Sequence, residues 1–307
     1  MIQVLPGYSD GNAVRSAIKS AARMAAQDLN PSVGTLVQQA TYDRFLCRVF
    51  SDPNSTFLLK GGTGMLARVA HARSTRDVDL ASIDTETEAA VADLITLSRI
   101  DLGDHFRFAF AGRRTQIGGE NQPYTAGTNL TFDVYIGVTK HGNLSIDLAA
   151  GHTPTGRVER RAPANRLPLP RLRSHDYLLY PIADQIADKA CATLTSYGVA
   201  GKAPSREKDL VDLVTIALHE QIDAHALHQA LATEMILRRL DPPVEFRIPA
   251  SWGPAYARLA RQIMFLMNYR TVEDALSLAK SLLDPILSGT VEHGVWDPSI
   301  LRWTRRS

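Results

Sequence analysis

Asp77 and Asp79 stand two residues apart in Arg73-Ser74-Thr75-Arg76-Asp77-Val78-Asp79-Leu80, shortly after a turn reading Lys60-Gly61-Gly62-Thr63-Gly64. On a strand, positions i and i+2 point the same way, so the two carboxylates can share divalent metal. Glycines let backbone N–H groups approach a phosphate closely, and a helix N-terminus favours its negative charge. Phosphates held at one end and metal at the other is the equipment of nucleotidyl transfer. The competing reading, both acids on a solvent face with Arg73 and Arg76 as loose partners, leaves the nearby glycine turn without a purpose.

Metal-assisted phosphoryl transfer places two ions about 4 Å apart, so a third carboxylate is expected from a neighbouring strand. Asp147, in the apolar run Ser145-Ile146-Asp147-Leu148, is the first choice and Asp133, in Thr131-Phe132-Asp133-Val134, its competitor. Two helical segments carry further polar groups. Lys189 lies in the apolar stretch Ile186-Ala187-Asp188-Lys189-Ala190, where it either snorkels to solvent or neutralises a triphosphate. Arg206, Asp209 and Asp212 recur at i, i+3 and i+6, opposite Leu210, Leu213 and Val214. As a surface ladder such a face is worth a few tenths of a kcal/mol per pair. Ser205 is placed to cap that helix.

Positioning these groups takes an α+β fold. Helical spacing runs from about Ala13 to Asp28, Leu36 to Phe50 and Thr85 to Leu102. Strands are predicted at Phe57–Leu59 and Val78–Ser82, with a short helix from Met65 to His71 between them. Alternation predicts three more, at His105–Ala111, Asn129–Val138 and Asn143–Ala149, with a loop at Gly118–Pro123. From Pro181 onward the pattern is helical: 181–197 stopped by Gly198, then 206–220, 223–240, 252–268 and 272–287. The expected division is a core over 1–150 with a helical lead-in over 1–55, a Pro/Arg-rich connector over 151–176, and a helical domain over 177–307.

The 307 residues carry a net charge of +2, with 45% apolar and 21% charged residues, an ordinary globular balance that does not announce a nucleic-acid binder. Cys47 and Cys191 exclude a disulfide framework and offer no zinc spacing. No apolar run reaches membrane-spanning length, so a cytoplasmic location without membrane contact is expected. Arg157, Arg160, Arg161, Arg166, Arg171 and Arg173 crowd the connector and read as solvated ahead of phosphate-binding.

Taken together, the glycine turn, the Asp77–Asp79 strand, Ala187-Asp188-Lys189 and Arg206-x-Lys208-Asp209-Leu210-Val211-Asp212-Leu213 resemble the AbiEii/MenT nucleotidyltransferase toxins of bacterial AbiE-type toxin–antitoxin systems. The resemblance spans about Phe57 to Leu213. It implies a polymerase-beta-like nucleotidyltransferase core, a two-ion Mg²⁺ site, an NTP substrate, addition of nucleotides to the 3′ end of tRNA, and a cognate antitoxin as partner. Carried onto this chain, it implies that Asp77, Asp79 and Asp147 hold metal and that Asp77, Asp79, Lys189 and Asp209 are catalytic. Lys60, Gly61, Gly62, Thr63, Thr75, Arg76, Arg206 and Asp212 would bind nucleotide. Thr75 matches a Ser/Thr position that some antitoxins phosphorylate, and a dianion there would repel an incoming triphosphate. The turn is Gly-Gly-Thr where the wider superfamily has Gly-Ser, and its spacing to Asp77 is longer. The alternatives are transfer to a protein or other acceptor by the same core, and a non-catalytic RNA- or partner-binding module.

Overall fold

The structure is a computed structural model that describes residues 7–27, 31–83, 86–116, 127–151, 153–195, 206–242 and 245–305. The loop expected at 118–123, the helix stop at Gly198 and the cap at Ser205 lie outside the described residues. The chain divides into two compact units, one built on residues up to Leu179, the other on Thr153–Val158 and everything from Tyr180.

The first unit begins with α1 (Gly11–Gln27) and α2 (Val33–Val49), followed by β1 (Phe57–Lys60), α3 (Gly61–Arg68), β2 (Val78–Ser82) and α4 (Thr87–Ser98). A long meander of β3 (Phe106–Gln116), β4 (Gly127–Ile136) and β5 (Thr139–Ala150) comes next, then the short β6 (Glu159–Arg161) and β7 (Tyr177–Leu179). All seven strands form one mixed sheet in the order β3-β4-β5-β2-β1-β7-β6. β2 runs parallel to β5 and β1 parallel to β7, while the other neighbours are antiparallel.

Alternation in β4 and β5 separates the two faces of this sheet. Leu130, Phe132 and Val134, with Leu144, Ile146 and Leu148, are buried against helix residues including Val14, Ile18, Leu36, Phe45 and Leu94. Phe45 of α2 meets Phe108 and Phe132 at ring-centroid distances of 5.2 and 5.1 Å. Each such buried aromatic contributes about 1.5–3 kcal/mol relative to exposure. The intervening residues Asn129, Thr131, Asp133, Ser145 and Asp147 stay half-buried on the other face. The sheet is therefore glued to the helices on one side and polar on the other.

The stretch read as a connector contributes β6 and runs into β7, both strands of the same sheet. Arg157, Arg160, Arg171 and Arg173 are exposed, as a solvated stretch would be, but two of its arginines also have defined partners. Arg166 donates from Nε to Asp43 Oδ1 at 2.8 Å and lies over the Tyr177 ring, while Arg171 stacks on Tyr8 at 4.6 Å. Three-residue strands broken by prolines are too short to show alternation.

The second unit holds α5 (Ile182–Leu194), α6 (Glu207–His219), β8 (Ile222–Asp223), α7 (Ala224–Arg238), α8 (Gly253–Ala260), α9 (Val272–Leu287), β9 (Val295–Asp297) and β10 (Arg302–Thr304). The last two strands and β8 make a small three-stranded sheet that the sequence pattern did not suggest. The single helix expected over 252–268 is broken: α8 ends at Ala260 and a 3₁₀ segment occupies Met264–Tyr269. Among the described residues, no helix is long and apolar enough to cross a membrane.

Candidate active site

The glycine turn is itself the start of a helix. α3 begins at Gly61, four residues ahead of the expected Met65, and Gly61 has φ +60°. A side chain there meets more than backbone strain. A Cβ on Gly61 would lie 2.0 Å from Asp79 Oδ2 and 2.8 Å from Asp79 Cβ. The Asp79 carboxylate is laid directly against the bare backbone of the turn, so the glycine and the acid require each other.

Strand register shows what stands beside Asp79. It pairs with Lys60 across the antiparallel β1–β2 ladder and with Asp147 across the parallel β2–β5 ladder. Asp147 in turn faces Asn129 of β4, which faces Arg114 of β3. Lys60, Asp79, Asp147, Asn129 and Arg114 thus form one row across five neighbouring strands, about 4.8 Å apart from strand to strand. Asp77 sits immediately before β2 and, like Asp79, is half-buried.

The peptide units on either side of Asp77 are held by three hydroxyls. Thr63 Oγ1 and Thr75 Oγ1 donate to the Asp77 carbonyl at 2.8 and 3.3 Å. The Tyr42 hydroxyl, reaching from α2, donates to the Arg76 carbonyl, and Gln38 Nε2 donates to Tyr42 at 2.6 Å. Burial, with the nearby Asp77 charge, pushes the Tyr42 phenol up to about 12, so it remains a donor at any physiological pH. Gly62 packs against Thr75; a Cβ on it would come within 3.0 Å of the threonine Cβ and Oγ1. Arg76 enters this arrangement through its carbonyl, while its side chain is exposed.

Asp133 and Asp147 share a face but not an environment. Asp133 is bridged to Lys140 Nζ at 2.7 Å and accepts from Asn143 Nδ2 at 3.0 Å. Its cross-strand partner Asn143 lies four positions from Asp147 along β5, about 13 Å at the usual rise. Asp147 instead accepts from Asn129 Nδ2 at 2.7 Å, and the same amide donates to Ser145 Oγ at 2.8 Å. Geometrically, Asp147 is the one beside Asp79. Among the described residues no group of three His, Cys, Asp or Glu side chains is already gathered closely enough to hold a metal ion. The donor set of Asp77, Asp79 and Asp147 is nevertheless all carboxylate oxygen, the chemistry that suits Mg²⁺.

The second unit gathers the other sequence candidates. Lys189 Nζ on α5 reaches Asp209 Oδ1 at 3.2 Å and Asp212 Oδ2 at 2.5 Å on α6. Lys189 is 5% exposed and Asp212 only 1%, so the face carrying the acids turns inward and is no surface ladder. Arg206 stands just ahead of α6 with Nη1 3.7 Å from Asp209 Oδ2. Asp188, next to Lys189, accepts from Arg238, which also binds Glu234 at 2.6 Å. Neither Arg238 nor Glu234 was singled out in sequence, since both sit in a helix with no motif. Tyr42 in α2 and Asn129 in β4 likewise belong to no motif.

The family model described as nucleotidyl transferase AbiEii toxin, type IV toxin–antitoxin system, matches residues 44–277, well over half of the chain. Among solved structures, the nucleotidyltransferase toxin MenT4 from Mycobacterium tuberculosis H37Rv superposes with a TM-score of 0.54 at 14% identity, covering 92% of this chain and 99% of its own. JHP933 from Helicobacter pylori gives 0.44 at 12% identity, over 83% of this chain and 94% of its own. No curated protein matches the chain.

Proposed function

The chain belongs to the AbiEii nucleotidyl transferase toxin family of type IV toxin–antitoxin systems, and from that premise we propose that it moves a nucleoside monophosphate from an NTP to an RNA 3′ hydroxyl, the 3′ end of tRNA, halting translation in the cytoplasm. One observation carries this reading: Asp79 and Asp147 stand side by side in register, flanked by Lys60, where the Gly61-Gly62-Thr63 turn opens α3.

The work falls to a few residues. The N-terminal end of α3 would receive the triphosphate through its backbone dipole, the space beside Gly61 and Gly62 being taken up by Asp79 and Thr75. Asp77, Asp79 and Asp147 would hold the divalent ions, Mg²⁺ by the chemistry of their oxygens. When bound, such ions lower the acceptor hydroxyl's pKa and offset charge on the departing pyrophosphate. Thr63 and Thr75 keep the Asp77 peptide in place, so positioning and charge account for most of the rate. Phosphorylation of Thr75 by the cognate antitoxin would remove a hydroxyl that holds Asp77 and set a dianion beside the acids.

The test is transfer of label from α-labelled NTP and Mg²⁺ to total RNA, with total protein incubated in parallel. RNA 3′ ends should be labelled and protein should not. Asp77→Asn and Asp147→Asn should each lose activity on the order of 10³-fold. Asp133→Asn, which only releases Lys140 and Asn143, should stay within about threefold of wild type. Full labelling by Asp77→Asn would refute the assignment, and labelled protein without labelled RNA would move the acceptor to the alternative class.

A further inference from the structure

We infer that Tyr42 and Asn129, which lie outside every motif that marks the family resemblance, are positioning residues that fix Asp77 and Asp147 for the divalent ions. The inference rests on the reading just given. It follows from which atoms are tied. The Tyr42 hydroxyl donates to the carbonyl of Arg76, and the two threonine hydroxyls donate to the carbonyl of Asp77. The two peptide planes that meet at the Asp77 Cα are therefore each held, and together they set the direction in which its side chain leaves the backbone. Gln38 removes the remaining ambiguity. By donating to the Tyr42 oxygen at 2.6 Å it occupies a lone pair, and the phenolic hydrogen is left to point at Arg76.

Asn129 performs the equivalent task on the neighbouring strand. Its amide has two N–H bonds, one spent on Asp147 Oδ1 and the other on Ser145 Oγ. Ser145 lies two residues before Asp147 on the same face of β5, so the amide is anchored to the strand whose acid it orients. Tyrosine and asparagine are both neutral donors: Tyr42 ties the peptide ahead of Asp77, and Asn129 ties the Asp147 carboxylate itself, in neither case adding a positive charge. Asp133 has both kinds of restraint, the neutral amide of Asn143 and the ammonium of Lys140.

A small cavity of about 20 Å³, lined by Leu46, Leu66 and Leu167 as well as by Asp43, Thr63 and Tyr177, lies beside the Tyr42 ring. Tyr42→Phe keeps the ring and removes one oxygen, so it should fold. Asn129→Ala alters a half-buried side chain on the polar face and should fold as well.

The readout is Mn²⁺ affinity of the full chain, measured by calorimetry or electron paramagnetic resonance without NTP, together with kcat and KM in the labelling assay. Each variant should bind Mn²⁺ about 10- to 100-fold more weakly. kcat at fixed low metal should fall in proportion, KM for NTP should change little, and high Mn²⁺ should restore part of the rate. Each variant judges its own residue: Mn²⁺ affinity within threefold of wild type in a folded variant overturns that assignment, whatever happens to turnover. Asp77→Asn separates this from the reading beneath it. An inactive Asp77→Asn beside wild-type behaviour in Tyr42→Phe and Asn129→Ala sinks the inference alone, whereas an active Asp77→Asn sinks both.

Discussion

Gly61→Ala is expected to leave a folded protein with transfer activity reduced on the order of 10²- to 10³-fold, because the new methyl group has to occupy space held by the Asp79 carboxylate. Two costs add. Gly61 has φ +60°, a conformation that costs an L-residue about 1–2 kcal/mol. The methyl carbon would also sit 2.0 Å from Asp79 Oδ2 and 2.4 Å from its Cγ, far inside contact distance. Rotating the aspartate relieves the oxygen but not the 2.8 Å approach to Asp79 Cβ, which is fixed to β2. The strands must therefore separate at the Lys60–Asp79 pair, or the acid must leave its place in the row. A displacement of about 1 Å at a reacting centre can cost 10²-fold, and the adjacent Asp147 would lose its alignment with Asp79 at the same time. Gly62→Ala is the control. Its methyl comes no nearer than 3.0 Å to the Thr75 side chain and 3.3 Å to Arg73 Nη1, and its φ is not in the left-handed range. It should lose much less, on the order of tenfold. Wild-type labelling by Gly61→Ala, measured beside thermal unfolding, would show that the contact with Asp79 has no bearing on the chemistry.

How far this site was legible in the sequence depends on whether its information is local. The glycine turn, the i, i+2 acids and the apolar run around Asp147 are local, and the structure moves them by only a few residues: α3 starts at Gly61 rather than Met65, and Asp77 falls just ahead of β2. That Asp147 stands beside Asp79 and Asp133 does not is a matter of register. That register belongs to the parallel β2–β5 ladder, which matches Asp79 to Asp147 across strands far apart in sequence. No window of residues displays it. Tyr42 is hidden differently: in the run Gln39-Ala40-Thr41-Tyr42-Asp43 it looks like one more core position of α2, and its partner Arg76 is 34 residues away. The second unit failed on length. Strands of two or three residues, such as β8 and β9, are below the span at which alternation can be counted. The break after Ala260 contains neither glycine nor proline, so helical spacing ran straight through it. The inward turn of Asp212 was also unreadable, because α6 is apolar on nearly every side and only packing decides which side faces α5.

Lys189→Met is expected to destabilise the protein by about 3–5 kcal/mol, and the second substitution Asp212→Leu is expected to recover most of that loss without recovering activity. The first half follows from burial. With Lys189 at 5% exposure and Asp212 at 1%, removing the ammonium leaves a nearly water-free carboxylate without the partner it holds at 2.5 Å. Breaking such a pair from one side costs about 3–5 kcal/mol, whereas replacing both charges by apolar groups of similar size is often neutral. Asp209 keeps the recovery incomplete: it also binds Lys189, at 3.2 Å, but is 13% exposed and has Arg206 at 3.7 Å. The second half separates two roles for the lysine. If it serves only to frame α5 against α6, stability and turnover return together in the double variant. If the lysine also acts on the nucleotide, as the family resemblance implies, the double variant melts near wild type and still transfers on the order of 10²-fold more slowly. Denaturant midpoints of the wild type, both single variants and the double variant give the coupling energy, and labelling assays on the same four proteins below their transitions give the rest. A double variant that is both stable and fully active would confine Lys189 to the architecture of the second unit.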